Sequence, residues 1–512
     1  MTDTSVSSRG HTRESTQNTA SGASAASEGY GSAAYRAYVL FALIVVYTFN
    51  FIDRTLIGVL GEPIRETFGL SDTAIGLLSG LAFALLYTVL GIPFAMLAER
   101  RSRTWIISIA MAAWSGMTVL CGLAQNTFQF ALARVGVGIG EAGCSPPSHS
   151  LISDYFPPEK RSSALGIFAL GIPVGSMIAA VGGAWIANQD GLNWRDAFIW
   201  MGLPGVLGAV IFKLTVKEPP RGYSDPGGAA AAAQREKPSP FAVFGLLSRN
   251  AAFWHVSLGG AMASFAGYGI GQFIAPFWIR VHGLELFDAA LLYGGVLGLA
   301  AGVGTIASGI VADRVRARHP NSDSWLPALG MTLCVPLMIL GYNTLAFSSG
   351  ATAIWIAVPL LAVGAVLRYS YLAPMFSVTQ KLVEPRMRAT AAALMLFVVN
   401  LIGYGAGPPV VGWMSDQFSK RELASLDAPL SLSDCGALEA SLKAVRDGRD
   451  GALTGEALEA AAAQNTSYCA PARRVGVRWG VSLGALFLLW AALHFLLMGR
   501  TLQRDQWVET SA

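Results

Sequence analysis

The chain has 512 residues, of which 53% are hydrophobic and only 13% are charged. Because ordinary globular proteins are about one quarter charged, this composition excludes most soluble proteins and predicts a multi-pass membrane protein. The net charge of +4, from 36 Lys and Arg against 32 Asp and Glu, is too small to indicate nucleic acid as a partner.

In chain order, a polar tail precedes a series of apolar segments. Residues 1–34 are rich in Ser, Thr, Ala and Gly, which predicts a disordered tail without a signal peptide. Apolar stretches of about 20 residues then recur, each long enough to cross a hydrocarbon core of about 30 Å. The predicted spans are 36–59, 73–97, 104–124, 128–150, 162–187, 195–216, 253–279, 287–312, 325–346, 351–379, 388–415 and 476–499. Twelve spans in two groups of six predict an all-α membrane protein built from two six-helix bundles.

A break after the sixth span separates the two groups. Residues 218–252 contain paired prolines, a Pro-Gly-Gly turn and an alanine run, which is typical of a linker. The predicted domains are an N-terminal bundle at 35–217, a C-terminal bundle at 253–499 with a long loop at 416–475, and a tail at 500–512.

Lys and Arg in the short loops predict the orientation, since they accumulate on the cytoplasmic side. One set of short loops holds Arg100, Arg101, Arg103, Lys160, Arg161, Arg314, Arg316, Arg318, Lys381, Arg386 and Arg388. The opposite short loops hold only Arg65, Arg195 and Arg280. We therefore expect both termini in the cytoplasm and loop 416–475 outside, in a cell membrane, most simply the inner membrane of a bacterium.

The five cysteines fall into two groups. Cys121, Cys144 and Cys334 lie in apolar spans, where a thiol is usually a small buried hydrophobe. Cys435 and Cys469 share the long loop, without a CxxC motif or a nearby His that would suggest zinc. If that loop faces an oxidising compartment, a disulfide between them is expected. The sequence has no metal-ligand cluster, Walker motif or haem CxxCH motif, so we expect no metal and no cofactor.

The two halves share a short motif, P-x-x-R-x-[S/T]-A, at 158–164 and 385–391. This repeat predicts two bundles related by an axis along the membrane normal, with a central cavity between them. The motif arginines, at 161 and 388, are 227 positions apart. The same offset aligns Glu141 with Arg368, so a carboxylate and a guanidinium are predicted on opposite cavity walls.

Several motifs resemble a known transporter family. The segment 91–103 resembles the signature of the major facilitator superfamily between helices 2 and 3, with Glu99 where Asp is usual. Asn-Phe-Ile-Asp-Arg at 50–54, the run 134–161 and the run 400–408 resemble the spinster family. The resemblance covers about residues 36–500. It implies the superfamily fold and a non-enzymatic, proton-coupled transporter of lysophospholipids or sphingosine-1-phosphate-like amphiphiles.

The resemblance also implies roles for charged residues inside the spans. Asp53 and Glu141 would be the protonatable pair, and Arg134 would be their partner. A charge at the centre of a membrane helix costs at least about 2.5–3.5 kcal/mol, so such residues need a reason to be there. A carboxylate that meets Arg in one conformation and loses it in the other would bind and release a proton. The alternative is that these charges are salt bridges that only hold helices together.

We predict that the Arg368 guanidinium binds an anionic headgroup, because it can hold phosphate with two hydrogen bonds. The alternative is a salt bridge, either to Glu141 across the bundles or to a local partner. Other predicted substrate-binding residues are Arg54, Asn50, Gln272, Phe273, Tyr369, Asn400 and Tyr404. For each aromatic residue, packing against a neighbouring helix is the alternative.

A separate group of charges lies at the predicted cytoplasmic helix ends. Glu99, Arg100, Arg103, Asp313 and Arg314 are predicted gating residues that latch this side shut in the outward-open state. The alternative for the arginines is plain positive-inside charge. We expect a monomer that contacts membrane lipids, protons and an amphiphilic substrate. A proton-coupled transporter or antiporter of another organic solute or drug on the same fold is the second hypothesis.

Overall fold

The computed structural model of the protein describes residues 30–224, 239–319, 321–384, 387–448 and 453–507. These residues form helices joined by short turns, and no strand is found among them. Most of the predicted tail 1–34, the middle of the predicted linker, the start of the second repeat motif and the last five residues lie outside the described residues.

Twelve long helical segments form the fold, here named α1–α12. The first six are α1 (Ala33–Val59), α2 (Asp72–Arg100), α3 (Arg103–Leu123), α4 (Thr127–Glu141 and Ser145–Tyr155), α5 (Ser163–Ala187) and α6 (Trp194–Thr215). The other six are α7 (Ala251–His282), α8 (Leu286–Arg316), α9 (Ser322–Tyr342), α10 (Gly350–Lys381), α11 (Thr390–Ser425) and α12 (Ala470–Asp505). Shorter helices are Gly61–Phe68, Pro240–Ser248, Leu432–Arg446 and Gly455–Gln464.

Ten segments of the described chain are long and apolar enough to cross a membrane, and α4 and α7 complete the twelve. The first part of α4 has only 15 residues and carries both Arg134 and Glu141. Helix α7 has 32 residues, but Gly, Ser, Gln and His reduce its hydropathy. The predicted twelve-helix fold is confirmed, and both α4 and α7 hold polar residues of the central region.

Helices α4 and α10 are interrupted at equivalent positions. The first part of α4 ends at Glu141 and the first part of α10 ends at Arg368. The second parts begin at Ser145 and Leu372, and the third residue of each is a proline, Pro147 or Pro374. Because proline lacks the backbone N–H and clashes with the carbonyl four residues earlier, both helices break in the same register. Each break leaves a charged side chain at the end of a helix, midway along the span.

Each half of the chain has its own apolar core. One core is formed mainly by residues between Val39 and Val216, and it includes the buried side chains of Trp114 and Trp194. The other is formed by residues between Val243 and Leu502 and includes Trp278. Two cores with a seam between them allow each bundle to move as a unit.

The seam between the bundles is tightest where α2 meets α11. A Cβ atom on Gly76 would overlap the backbone of Pro408, and one on Gly412 would overlap the backbone of Asp72. Only glycine permits such a close approach of two backbones. This contact lies at the end that carries the 60–71 loop, which sequence analysis predicts to face outward and which is called the predicted outer end. Among the described residues, the inner halves of the two bundles make no comparable contact.

Three of the helices at the seam contain a π-helical turn. These turns are Ile178–Gly182 in α5, Leu291–Leu297 in α8 and Val399–Tyr404 in α11. Helix α2 is interrupted at Gly80. Such irregular turns are common at functional sites, and all four lie where the bundles meet.

The predicted long loop is shorter than expected, because α11 continues to Ser425 and α12 begins at Ala470. Between them lie the helices Leu432–Arg446 and Gly455–Gln464. Cys435 and Cys469 are joined by a disulfide with sulfur atoms 2.01 Å apart. Cys121, Cys144 and Cys334 are free thiols buried within the bundles.

Candidate functional site

The centre of the N-terminal bundle contains a buried ion pair between α1 and α4. The Nε atom of Arg54 donates to an oxygen of Glu141 at 2.6 Å, and the Glu141 side chain is fully buried. The Arg54 guanidinium also lies over the ring of Tyr87, 4.4 Å from its centroid, and over Phe83 at 5.0 Å. Its side chain keeps 10% exposure. Arg54 is therefore the direct partner of Glu141, and it lies at the edge of the space between the bundles.

Asp53 and Arg134 lie deeper in the same bundle. Both are buried, and an Nη atom of Arg134 donates to the backbone carbonyl of Asp53 at 3.3 Å. Two other guanidinium nitrogens of Arg134 make no hydrogen bond to any described residue, and neither does the buried amide of Asn50. One oxygen of Glu141 has no partner there either. The region thus holds two carboxylates and more hydrogen-bonding capacity than its neighbours satisfy.

Arg368 faces this cluster from the opposite bundle and has a different environment. Its guanidinium lies over the ring of Tyr369 at 5.0 Å, and a Cβ atom on Gly267 of α7 would come within 3.3 Å of its Nη1 atom. No carboxylate of the described chain lies within 4 Å of it. Glu141 is paired with Arg54, so the alternative salt bridge between Glu141 and Arg368 is not formed in this conformation.

The remaining predicted substrate-binding residues have different locations. Gln272 is buried and donates from its amide to the carbonyl of Ile57, which joins α7 to α1. Phe273 is 1% exposed and packs in the C-terminal core, so it does not line the space between the bundles. Asn400 is half-buried within the π-helical turn of α11.

Tyr404 of α11 packs against aromatic side chains of both bundles. Its ring packs on Phe83 of α2 at 5.2 Å and on Tyr268 of α7 at 4.5 Å between centroids. Because the Arg54 guanidinium also lies over Phe83, Tyr404 is close to the central charges.

The predicted gating residues lie at the predicted inner end, where the bundles are apart. Arg103 is fully buried within its own bundle and binds Asp154, Glu218 at 2.6 Å and the carbonyl of Pro219. It therefore anchors the start of the linker to the N-terminal bundle, in place of a contact between bundles. Exposed residues at this end include Glu99, Arg100, Asp313 and Arg314, and Asp313 pairs with Arg316 of its own helix.

The predicted outer end holds a buried ionic network that sequence reasoning missed. Arg280 at the end of α7 binds Glu62 at 2.6 Å and Asp72 at 2.8 Å, both in the N-terminal half. Asp416 of α11 accepts hydrogen bonds from the backbone N–H groups of Asp72 and Thr73, at 3.0 and 2.8 Å. These bonds cross from one bundle to the other, so they hold this end closed.

One feature of the sequence could have indicated this network. Arg65 and Arg280 are two of the three basic residues in short loops that break the positive-inside pattern. Both belong to the network: Arg65 is buried, and the Arg280 side chain is 6% exposed. The third, Arg195, donates to the backbone carbonyls of Gly122 and Ala124 and stacks on Trp194. Exceptions to a topology rule are thus structural or gating residues.

The network predicts a pH dependence of stability. Burial raises the pKa of Glu62, but the guanidinium groups of Arg280 and Arg65 outweigh it and lower that pKa to about 2. An unfolded Glu titrates near pH 4.3, so the stabilisation is complete above about pH 4.3 and is lost as the pH falls toward 2. We expect the melting temperature in detergent to fall by several degrees between pH 5 and pH 3. Glu62→Gln should have a lower melting temperature at pH 7 and a weaker pH dependence; an unchanged dependence would contradict the assignment.

Comparison with known proteins identifies the family. The family model described as Major Facilitator Superfamily matches residues 43–408. An MFS-type efflux pump of Mycolicibacterium smegmatis is 36% identical, over 74% of this chain and 84% of that protein. Protein spinster homolog 3 of Danio rerio is 29% identical, over 75% and 78%. A crystal structure of a bacterial homologue of the human lysosomal transporter Spinster, inward-facing and unoccupied, has a TM-score of 0.79 and 36% identity, covering 94% of this chain and 100% of that one.

The chain belongs to the major facilitator superfamily, in its spinster branch. It is therefore a multi-pass membrane transporter, and its family and fold are not those of enzymes. The closed predicted outer end and separated predicted inner end agree with the inward-facing state named for the bacterial Spinster homologue.

Proposed function

We propose that this transporter moves an amphiphile with an anionic headgroup, such as a lysophospholipid or a sphingosine-1-phosphate-like lipid, by alternating access coupled to protons. The observation that carries the proposal is the arrangement of charged side chains on the two sides of the seam. Arg368 has no carboxylate partner among the described residues, and it faces a buried ion pair, Arg54 with Glu141. Arg368 would bind the anionic headgroup, and Glu141 of the ion pair would bind the proton.

The surroundings of Arg368 support an amphiphilic substrate. The side chain lies over the ring of Tyr369, and in the same region Tyr268 of α7 packs on Tyr404 of α11. Tyrosine offers an apolar ring and one hydroxyl, so such a wall accommodates an acyl chain and a polar head together. A guanidinium holds phosphate through two parallel hydrogen bonds.

The ion pair supports proton coupling. In the present conformation Glu141 is held by Arg54, and Arg54 also touches the rings of Tyr87 and Phe83. A neighbouring guanidinium favours the charged carboxylate, whereas burial favours the neutral acid. If a headgroup or a bundle movement draws Arg54 away, Glu141 would take up a proton. Asp53 precedes Arg54 on α1 and lies next to Arg134, and it would also bind and release a proton.

We also propose a cell-membrane location with both termini in the cytoplasm and action as a monomer. The basic short loops lie at the separated end. The two helices Leu432–Arg446 and Gly455–Gln464, here called the hairpin, lie at the closed end, and the disulfide between Cys435 and Cys469 ties the first of them to the start of α12. Disulfides persist in oxidising compartments, which favours the outside for the hairpin. In the outward-open state, Glu99, Arg100, Asp313 and Arg314 would approach each other across the seam.

A second candidate is the export of another organic solute or drug. The Mycolicibacterium smegmatis relative is named an MFS-type efflux pump. The same central charges would then bind a solute that carries a negative group, and proton exchange would drive its exit.

Flux in proteoliposomes tests the proposal. Labelled lysophospholipid is followed with an imposed pH gradient of either direction and with no gradient. Gradient-dependent flux supports the proposal. Transport of an unrelated organic anion, with no lysophospholipid movement in either gradient direction, would favour the second candidate.

Substitution of Arg368 tests the headgroup role. Arg368→Gln removes the charge, so we expect at least about a tenfold loss of phosphate-lipid flux. Arg368→Lys keeps the charge but not the planar fork, so an intermediate loss of about threefold to tenfold is expected. Flux of a lipid without phosphate should change less in both variants. Equal flux of the phosphate lipid by wild type and Arg368→Lys would disprove bidentate binding.

A further inference from the structure

The hairpin helix Leu432–Arg446 belongs to the C-terminal half of the chain but packs on the N-terminal half. It lies against the helix Gly61–Phe68, which directly follows α1. A Cβ atom on Gly436 would lie 2.6 Å from the carbonyl oxygen of Gly69. The two backbones therefore touch at this point, and Gly436 leaves room for the contact.

One side chain of the hairpin enters the buried outer network. A carboxylate oxygen of Glu439 accepts a hydrogen bond from Arg65 at 2.5 Å and lies 3.5 Å from Arg473. Glu439 and both arginines are buried. Arg65 also pairs with Glu62 at 2.9 Å, and Glu62 pairs with Arg280. The hairpin thus supplies a carboxylate that lies between two guanidinium groups, one from each half of the chain.

A second ion pair joins the same helix to the N-terminal half, but it differs in burial. Arg446 lies 2.7 Å from Glu66, with 59% of its side chain exposed. Exposed ion pairs contribute little to stability, whereas removing one partner of a buried pair is strongly destabilising. Glu439 therefore contributes more than Arg446 to the stability of the contact between the hairpin and the N-terminal half.

The hairpin is held rigidly on the C-terminal bundle. Ser431 and Asp434 form reciprocal hydrogen bonds at the start of the helix. Cys435, in the first turn, is disulfide-bonded to Cys469 beside the start of α12. Both cysteines are buried in a small apolar cluster with Leu423 and Ala472. Glu439 follows Cys435 by one helical turn, so its position is fixed relative to the C-terminal bundle.

We propose that helix 432–446 is a latch that holds the outer end closed, with Glu439 as the side chain that fastens it. When the outer end opens, Arg65 moves with the N-terminal bundle and Glu439 with the C-terminal bundle, so their bond must break. The stability of the latch then sets how often the transporter reaches the outward-open state. The proposal rests on alternating access only, and it is independent of the lipid and of proton coupling.

Distances between spin labels test the latch without a substrate. Gln125→Cys and Ser349→Cys place labels on exposed outer loops of the two bundles. Cys121, Cys144 and Cys334 are replaced by Ala, and the Cys435–Cys469 disulfide is kept. We expect Glu439→Gln to increase the population with a long outer distance at least fivefold. Glu456→Gln, an exposed carboxylate in the second hairpin helix, is the matched control and should behave like wild type.

Removal of the disulfide is the second test. Replacing both Cys435 and Cys469 by Ala leaves Glu439 in place but loosens the helix that carries it. The population with a long distance between the outer spin labels should increase, by a smaller factor than in Glu439→Gln. If Glu439→Gln is folded, judged by a monodisperse elution profile, and its distances equal those of wild type, the latch is disproved. If Glu439→Gln does not fold, unchanged distances in the disulfide variant disprove it instead.

Discussion

Glu141→Gln is expected to reduce lysophospholipid flux driven by a pH gradient by at least about tenfold, which corresponds to 1.4 kcal/mol or more. The amide keeps the size of the side chain but cannot ionise. Arg54, 10% exposed and 2.6 Å from the carboxylate, would lose its charged partner. Removing one partner of a buried pair usually costs about 3–5 kcal/mol. The measurement compares initial flux rates in proteoliposomes with an equal amount of reconstituted protein.

Two controls separate coupling from general damage. Glu285→Gln changes an exposed carboxylate near the start of α8 and should transport like wild type. Exchange of lipid at equal concentration and equal pH on both sides needs no net proton movement. If Glu141 serves coupling, its Gln variant should retain more exchange than gradient-driven flux. Wild-type gradient-driven flux in Glu141→Gln would exclude the proposed role.

Much of the fold could be predicted from local patterns. Runs of about 20 apolar residues report membrane spans directly, because the hydrocarbon core sets their length. The repeat alignment also put Glu141 and Arg368 at equivalent positions, and both turn out to be the last residues before a helix break. The prolines that cause the breaks, Pro147 and Pro374, are 227 positions apart, like the motif arginines.

Pairing of charges across long separations could not be predicted in the same way. Arg134 is seven residues from Glu141 on α4, yet the partner of Glu141 is Arg54, 87 positions away. Asp416 binds the start of α2 across 344 positions. Such pairs depend on how helices are arranged and rotated, which hydrophobic patterns report only coarsely.

Residue type alone also does not show which side chains face the opposite bundle. Phe273 lies one position from Gln272 on α7, so it points about 100° away and packs in the C-terminal core. Arg103 belongs to the family signature, but its partners are Asp154 and the start of the linker in its own bundle. The rotation of each helix about its axis decides what Phe273 and Arg103 contact. Polar and apolar residues are spread around α7, so its sequence does not show which face meets the other bundle.

The second large effect is expected at Arg280. This guanidinium is nearly buried and makes four hydrogen bonds of 2.6–2.9 Å, two to Glu62 and two to Asp72. Arg280→Gln would leave two buried carboxylates on the N-terminal side without their main partner from α7. We expect a loss of about 3–5 kcal/mol from the closed outer end. The melting temperature in detergent should fall by several degrees, and the outer ends should separate in spin-label distance measurements.

The exposed pair at the same end supplies the control for Arg280. Arg446→Gln removes a guanidinium from a salt bridge with Glu66 that is largely exposed, so its effect should stay within about 1 kcal/mol. Arg280→Lys should recover part of the closed state, since an ammonium keeps the charge but cannot bind two carboxylates with the planar fork. If Arg280→Gln and Arg446→Gln had equal effects, burial would not decide the strength of the outer network. The closed end would then depend on the contact between α2 and α11, where Gly76 and Gly412 let the backbones meet.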